Sequence, residues 1–386
     1  MKPVVDKTKI HRLLTEGVEE VIVKKDLEEK LFSGKALRIK LGIDPTSPNI
    51  HIGRAVVLWK LRAFQELGHQ VVFIVGDFTG LIGDTSDKEA ERPMLTEAQV
   101  ATNMKTYFKQ AYKILNKEKT EAHYNSIWLK NLGFAEIGKM ADLFGLHEFA
   151  ARENIKKRLD KGKRVSLREL LYPLMQGYDS VAVKADVELG GTDQRFNLLA
   201  GRTIQPLYGQ ASQNIIITQL LEGTDGKKMS SSWGNVINIT DSPDDMFGKV
   251  MAVRDDLMKR FARLAANLPE KDIKALLEKP AIEAKEDIAE ALVRQYHGVG
   301  EAEKAREFFE SAFRRRGVAG KGARSIPYLE GRELFDMLEE AGEAPSKSEW
   351  RRLILQRAVE FEGRVVGDPR LRPDHAGTVR VGKKKF

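Results

Sequence analysis

The sequence predicts an α/β fold: a doubly wound parallel sheet with a helical insertion, followed by an all-helical segment and a small α+β segment. Three observations carry this reading. Short apolar runs alternate with amphipathic stretches over residues 1–242, the pattern of strands buried between helical layers. Strand signals stop after about Ser242, and Asp244 to Ala312 has helical periodicity only. Beyond a basic, Gly-rich stretch the chain shows two amphipathic helices and a β-like run.

The elements follow in order. Leu37 to Ile43 reads as a strand, and the loop Asp44 to Ile50 leads into a helix from His51 to Gly68. His69 to Gly76 reads as a buried strand. Glu97 to Leu115 has helical spacing at Val100, Met104, Phe108 and Tyr112. The mostly helical stretch 134–175 interrupts the alternation as an insertion. Ala185 to Gly191 and Asn214 to Thr218 supply further strands. A helical domain is expected over 243–315, a linker over 316–329 and a small domain over 330–386. Within the last, Gly331 to Gly342 is an amphipathic helix. Ser346 with Glu349 forms a capping box that starts another, with Trp350, Leu353 and Ile354 on one face. Phe361 to Leu371 reads as a small β element.

Composition narrows the chemistry. The 386 residues include no cysteine, which excludes disulfides, thiolate zinc sites and thiol nucleophiles. The seven histidines lack metal-ligand spacing, so no protein-bound metal is expected. No apolar run reaches membrane-spanning length and the N-terminus lacks an apolar core, so the expected location is cytoplasmic, with no membrane partner. The net charge is +8, and residues 347–386 carry 11 Lys/Arg against 5 Asp/Glu. Such asymmetry suits an anionic partner, nucleic acid in particular, or a solubilising tail.

In a doubly wound sheet ligands bind at the C-terminal ends of strands, which directs attention to the loops after Ile43, Val75 and Leu189. Gly42 to Arg54, GIDPTSPNIHIGR, passes from a strand through a Pro-stiffened turn to a helix start. A helix N-terminus offers free N–H groups to an anion. His51 and Arg54 stand three apart and share a face, and Gly53 lets a flat group lie against the backbone. Far downstream, GTDGKKMSSSWGN, Gly223 to Asn235, reads as a loop whose Lys228 can close over a polyphosphate.

This pair resembles the two signatures of class I aminoacyl-tRNA synthetases, His-Ile-Gly-His and Lys-Met-Ser-Lys-Ser. Three further stretches are similar to the tyrosyl branch: GDFTGLIGDTSDKEAER (Gly76 to Arg92), YPLMQGYDSV (Tyr172 to Val181) and ELGGTDQRFN (Glu188 to Asn197). The resemblance covers nearly the whole chain. It implies a Rossmann-like catalytic domain, a helical anticodon-binding domain and a small C-terminal RNA-binding domain. It implies a ligase that joins tyrosine to tRNA(Tyr) at the expense of ATP with magnesium, and a homodimer formed through the insertion. Ala141 to Ala151 suits such a surface or an internal core equally.

The resemblance also assigns residues. His51, Arg54, Lys228, Ser231, Lys88 and Arg92 are implied to serve the phosphates during the reaction. Gly42, Asp44, Thr46, Gly53, Gly191 and Asp193 are implied to join His51 and Lys228 around ATP. Asp84, Tyr172 and Gln176 are implied to hold the tyrosine ammonium, and Asp179 the phenolic hydroxyl, with Gln194 and Asn125 nearby. Tyr172, Gln176 and Asp179 fall at i, i+4 and i+7, one stripe of a helix. The sequence departs from the pattern three times. Arg54 replaces the second histidine, and Ser231 replaces the second lysine. Lys40 stands where many tyrosyl enzymes place a tyrosine beside the substrate hydroxyl.

Overall fold

Val71 to Val75 are fully buried, which a strand achieves only with neighbours at both edges and layers on both faces. This is β3 (Gln70–Val75), in the middle of a six-stranded sheet with β1 (Val18–Ile22), β2 (Arg38–Ile43), β4 (Thr120–Tyr124), β5 (Val187–Gly191) and β6 (Asn214–Thr218). The structure, a computed structural model, describes residues 3–84, 94–229, 234–314, 326–342, 344, 346–361, 364–375, 377, 379–381 and 384–385. The chain divides into two compact units, Met1–Ala302 and Glu303–Phe386.

The strand order is β1-β6-β5-β2-β3-β4. Strands β2 to β6 run parallel, while β1 pairs antiparallel with β6 at the edge. The sequence pattern misses β1 because its run, VEEVI, carries two glutamates and is only partly buried. An edge strand needs no continuous apolar run. From β2 the chain winds outward through β3 and β4, then returns on the other side as β5 and β6. The crevice at that reversal, between β2 and β5, is where such sheets bind ligands. Register keeps the strand ends level: Ile43 pairs with Val75, and Val75 with Tyr124. The residues just beyond them therefore converge.

The helix Ile52–Glu66 buries Ile52, Ala55, Leu58, Leu61 and Phe64 along one face. The expected helix over 97–115 is instead two short ones, Glu97–Met104 and Tyr107–Ala111. The second turns Tyr107 and Gln110 inward. Gln110 then accepts from Ile50 N (2.8 Å) and donates to the Pro48 carbonyl (2.8 Å), pinning the loop after β2. The insertion contributes helices Phe134–Ala141, Leu146–Ala150 and Glu153–Asp160. The helix Leu167–Ala182 follows, opened by a capping box between Ser166 and Glu169. It packs on the helix Arg195–Ile204 with glycines, Gly177 and Gly201, at the contact. After β6 come the helices Pro243–Met251, Glu270–Leu277 and Ala281–His297.

The second unit has its own core of Leu334, Phe335, Leu338, Trp350, Ile354 and Val359. It holds helices Leu334–Glu340 and Lys347–Leu355 and an antiparallel sheet of β7 (Val359–Phe361), β8 (Arg364–Val365), β9 (Val379–Val381) and β10 (Lys384–Lys385), in the order β10-β9-β7-β8. Ser346 Oγ accepts from Glu349 N, half of the expected capping box. Most of the expected linker lies outside the described residues.

Candidate active site

The loop after β2 is fastened from three sides. Arg54 Nη2 donates to Thr46 Oγ1 (2.8 Å), and Nη1 donates to the Tyr107 hydroxyl (3.0 Å) and the Asp44 carbonyl (3.3 Å). The Tyr107 hydroxyl in turn donates to the Ser47 carbonyl (2.8 Å). The sequence places Arg54 beside His51 for phosphates. The structure brings both to one helix start but engages Arg54 in shaping the loop that carries Asp44 and Thr46. The guanidinium supplies five donors, so it can hold the loop and still lend its charge to the crevice.

The two distant signatures meet through the backbone. Ile52 N donates to the Ile237 carbonyl (2.8 Å) and Ile239 N to the Ile50 carbonyl (3.0 Å). The loop containing Lys228 is thereby anchored next to His51. Lys228 Nζ reaches Asp193 Oδ2 at 2.9 Å, so Lys228 and Asp193 face each other across the crevice mouth. Gly53 lies under the His51 ring: a Cβ there would sit 3.1 Å from His51 Nδ1 and 3.3 Å from Met229 Sδ. Its smallness serves this packing first. Gly42 is the open position, with nothing within 4 Å of an added Cβ, whereas a Cβ on Gly191 would meet Asp193 Oδ1 at 2.8 Å. Lys88, Arg92 and Ser231 lie outside the described residues.

Behind the phosphate end, a hydrogen-bonded chain crosses the strand ends. Asp44 accepts from Thr79 Oγ1 (2.7 Å) and from the Tyr172 hydroxyl (2.9 Å). Asn125, fully buried, donates to Thr79 Oγ1 (2.9 Å) and to Asp179 Oδ2 (3.2 Å), while its own oxygen accepts from Phe78 N. Trp128 Nε1 donates to Asp179 Oδ1 at 2.7 Å. Asp84 Oδ2 accepts from Gln194 Nε2 (2.7 Å), and Asn197 Nδ2 donates to Gln194 Oε1 (3.0 Å). Tyr172, Gln176 and Asp179 follow one stripe of the helix Leu167–Ala182, with Asp84 among the charges near Tyr172.

Sequence reasoning missed Thr79, Tyr107 and Trp128. Trp128 stands three residues after Asn125, which caps the short helix Ser126–Leu129 that carries Trp128. That spacing was a usable signal. Gly76 was also missed: a Cβ there would fall 2.1 Å from Asp44 Oδ1 and 2.3 Å from Thr79 Oγ1.

Burial sets the electrostatics. Asp179 is pushed up to about 7, chiefly by burial, with Lys40, Trp128 and Asn125 opposing and Glu188 adding. Asp44 is pushed up to about 6, again mainly by burial, with its hydrogen bonds from Thr79 and Tyr172 opposing. The His51 imidazole is held down at about 3, first by burial and then by Arg54 and Lys228. It is therefore neutral at working pH, and its buried Nδ1 has no hydrogen-bond partner among the described residues. The result is a crevice with cations at its mouth and carboxyl groups at its base.

Comparison with known proteins identifies the family. Residues 33–314 match the family model described as tRNA synthetases class I (W and Y). A tyrosine–tRNA ligase from Shewanella oneidensis is 43% identical over 384 residues, covering 96% of this chain and 95% of its own. One from Thermotoga maritima is 41% identical over 387 residues, covering 97% and 96%. The solved tyrosyl-tRNA synthetase from Archaeoglobus fulgidus, complexed with L-tyrosine, superposes with a TM-score of 0.61 at 22% identity over 78% of this chain and 100% of that one. The C-terminally truncated mitochondrial tyrosyl-tRNA synthetase of Aspergillus nidulans gives 0.66 at 21% identity over 79% and 94%. At such identities the superpositions speak to the fold alone. The matched span and the near-full-length relatives lead to one conclusion: the chain belongs to the class I tRNA synthetase family of the tryptophan and tyrosine type.

Proposed function

We infer that this chain attaches tyrosine to tRNA(Tyr), in two steps driven by ATP. The observation that carries the tyrosine reading is Asp179. Its buried carboxyl holds one donor on each oxygen, and a carboxylate oxygen can accept a second, here the phenolic O–H. Asp84, Tyr172 and Gln176 lie farther along the same wall, where a carboxylate and dipolar oxygens suit an ammonium.

In the first step a tyrosine carboxylate oxygen attacks the α-phosphorus of ATP. A new O–P bond forms as the bond to the oxygen bridging towards the β-phosphorus breaks, and its electron pair leaves with pyrophosphate. The nucleophile is already ionised, so no proton has to move. Catalysis then rests on positioning and on charge stabilisation. Lys228, Arg54 and neutral His51 supply these at the phosphate end, with Lys88 and Arg92 assigned there by motif. Gly42, Thr46, Gly191 and Asp193 border the nucleotide, and magnesium arrives as part of the nucleotide substrate. In the second step the 3′-terminal ribose hydroxyl of tRNA attacks the activated carbonyl carbon; the bond from that carbon to the phosphate oxygen breaks, its electron pair leaves with AMP, and the hydroxyl proton passes to the departing phosphate or to water.

The helical segment 243–315 serves the anticodon arm and the small domain 330–386 adds RNA affinity. A second copy of the chain covers the insertion, where Phe134 (94%), Leu146 (71%) and Leu167 (78%) are exposed apolar side chains of the kind self-association buries. The site of action is the cytoplasm. No helix among the described residues is long and apolar enough to cross a membrane.

Incubation with ATP, magnesium and labelled pyrophosphate tests the reading. Label should enter ATP when tyrosine is added and not when tryptophan or phenylalanine replaces it. Exchange driven by tryptophan, or no exchange with any amino acid, overturns it.

A further inference from the structure

Lys40 departs from the tyrosyl pattern, and its surroundings give it a different task. Its side chain is fully buried. Nζ donates to the Gln176 carbonyl (2.8 Å) and to Ser180 Oγ (2.8 Å), and it pairs with Glu188 Oε1 at 2.8 Å. An ammonium has three N–H bonds, and three acceptors take them. None is left to aim at a bound phenol. Glu188 is equally buried and is shared with Ser180 Oγ (3.1 Å), Gln176 Nε2 (3.2 Å) and Gln213 Nε2. The pair therefore ties β2 and β5 to one turn of the helix Leu167–Ala182. That turn carries Gln176 and Asp179.

We infer that Lys40, with Glu188, is the positioning residue for tyrosine specificity: it locks the Gln176–Ser180 turn so that Asp179 presents its carboxylate to the substrate hydroxyl, without touching the substrate itself. This rests on the reading of Asp179 as the hydroxyl acceptor. Charge supports the geometry. Among the groups around Asp179, Lys40 from β2 favours the ionised form more than Glu188 from β5 disfavours it, and Trp128 and Asn125 favour it by hydrogen bonds. Tyr172, on the same helix, is held neutral by burial and by nearby carboxyl groups. An ionised Asp179 accepts a hydrogen bond from the phenolic O–H; a protonated one competes as a donor.

The test compares kcat/KM for tyrosine and phenylalanine in the adenylate step. Lys40→Met alone strands a buried carboxylate and is at risk of misfolding. Lys40→Met/Glu188→Gln removes both charges together. In that variant the tyrosine-to-phenylalanine ratio should fall by about tenfold or more, and the acid limb of the tyrosine pH profile should move to higher pH. Phenylalanine, lacking the hydroxyl, should not follow that limb. Ser180→Ala removes one ammonium acceptor and buries no charge. It should narrow the ratio in the same direction, and it decides the matter if the double variant does not fold. A parent-like ratio and an unmoved acid limb in a folded variant overturn the inference. Asp179→Asn separates the two ideas. If it leaves the ratio intact, the reading of Asp179 has failed. If it collapses the ratio while Lys40→Met/Glu188→Gln and Ser180→Ala do not, only the role of Lys40 has failed.

Discussion

At the scale of the residue, Asp179 places function against stability. Burial drives its carboxyl up to about 7 and that of Asp44 up to about 6, whereas an unfolded chain titrates aspartate near pH ~4. Between those limits the folded state holds more protons than the unfolded one. Stability contributed by these groups therefore falls as pH rises from about 4 to about 7. Asp179→Asn, which cannot ionise, removes part of that slope. The loss of Tm between pH 5 and pH 8 should be smaller in the variant than in the parent, measured by calorimetry on protein without added ligand. An equal loss in both would mean that Asp179 is not buried at the cost described. The i, i+4, i+7 stripe of Tyr172, Gln176 and Asp179 was legible because helical spacing is local. What Lys40 binds was not, since its acceptors Gln176 and Ser180 lie 136 and 140 positions downstream. Arg54 shows the same limit. Its charge is written in the sequence, but its engagement with Thr46 and Tyr107 depends on the break that turns Tyr107 inward.

At the scale of the element, the helix Leu167–Ala182 carries three of the residues proposed to recognise tyrosine. Its distance from the helix Arg195–Ile204 is set where Gly177 meets the backbone of Ala200 and Gly201. A Cβ on Gly177 would lie 3.2 Å from Ala200 C and Gly201 N and 2.6 Å from Ile204 Cδ1. Alanine raises helix propensity by roughly 1 kcal/mol over glycine, so the two effects oppose. The isoleucine tip can move; the backbone of a packed helix yields only by separating the pair. Overpacking of this kind costs about 1–3 kcal/mol, so Gly177→Ala should lower Tm despite its propensity. It should also reduce kcat/KM for tyrosine, because Gln176 and Asp179 flank the wedge. A raised Tm with unchanged kinetics would show that the helices part cheaply. Strands β3 and β6 could be read from sequence because full burial writes a continuous apolar run. Strand β1 could not, because an edge strand with glutamates leaves no such run. The interruption between Met104 and Tyr107 escaped because the apolar spacing continues through it.

At the scale of the whole molecule, the candidate site and the basic excess fall to different parts of the chain. Every described side chain of the candidate site belongs to Met1–Ala302, while residues 347–386 hold 11 basic against 5 acidic residues. The sequence sets its boundaries where periodicity changes, at about Ser242 and across 316–329; compactness divides the chain after Ala302. Charge is legible in a sequence without any knowledge of folding, which is why the basic end stood out at once. Its partner is not legible that way, because a solubilising tail has the same composition. Ending the chain at Gly320 distinguishes the two. It removes the core of Leu334, Trp350 and Val359 together with the basic excess, and retains every residue of the candidate site. Tyrosine-dependent pyrophosphate exchange should then match that of the full chain, while tRNA charging should fall at physiological salt. Salt gives the decisive reading. Each phosphate contact contributes a slope of about −0.7 to −0.9 in the dependence of log affinity on log salt. The full chain should therefore show the steeper decline in kcat/KM for tRNA, and its advantage over the shortened chain should shrink as salt rises. Parallel salt slopes with equal charging would assign the basic end to solubility. A loss of exchange as well as charging would mean that the crevice depends on the second unit.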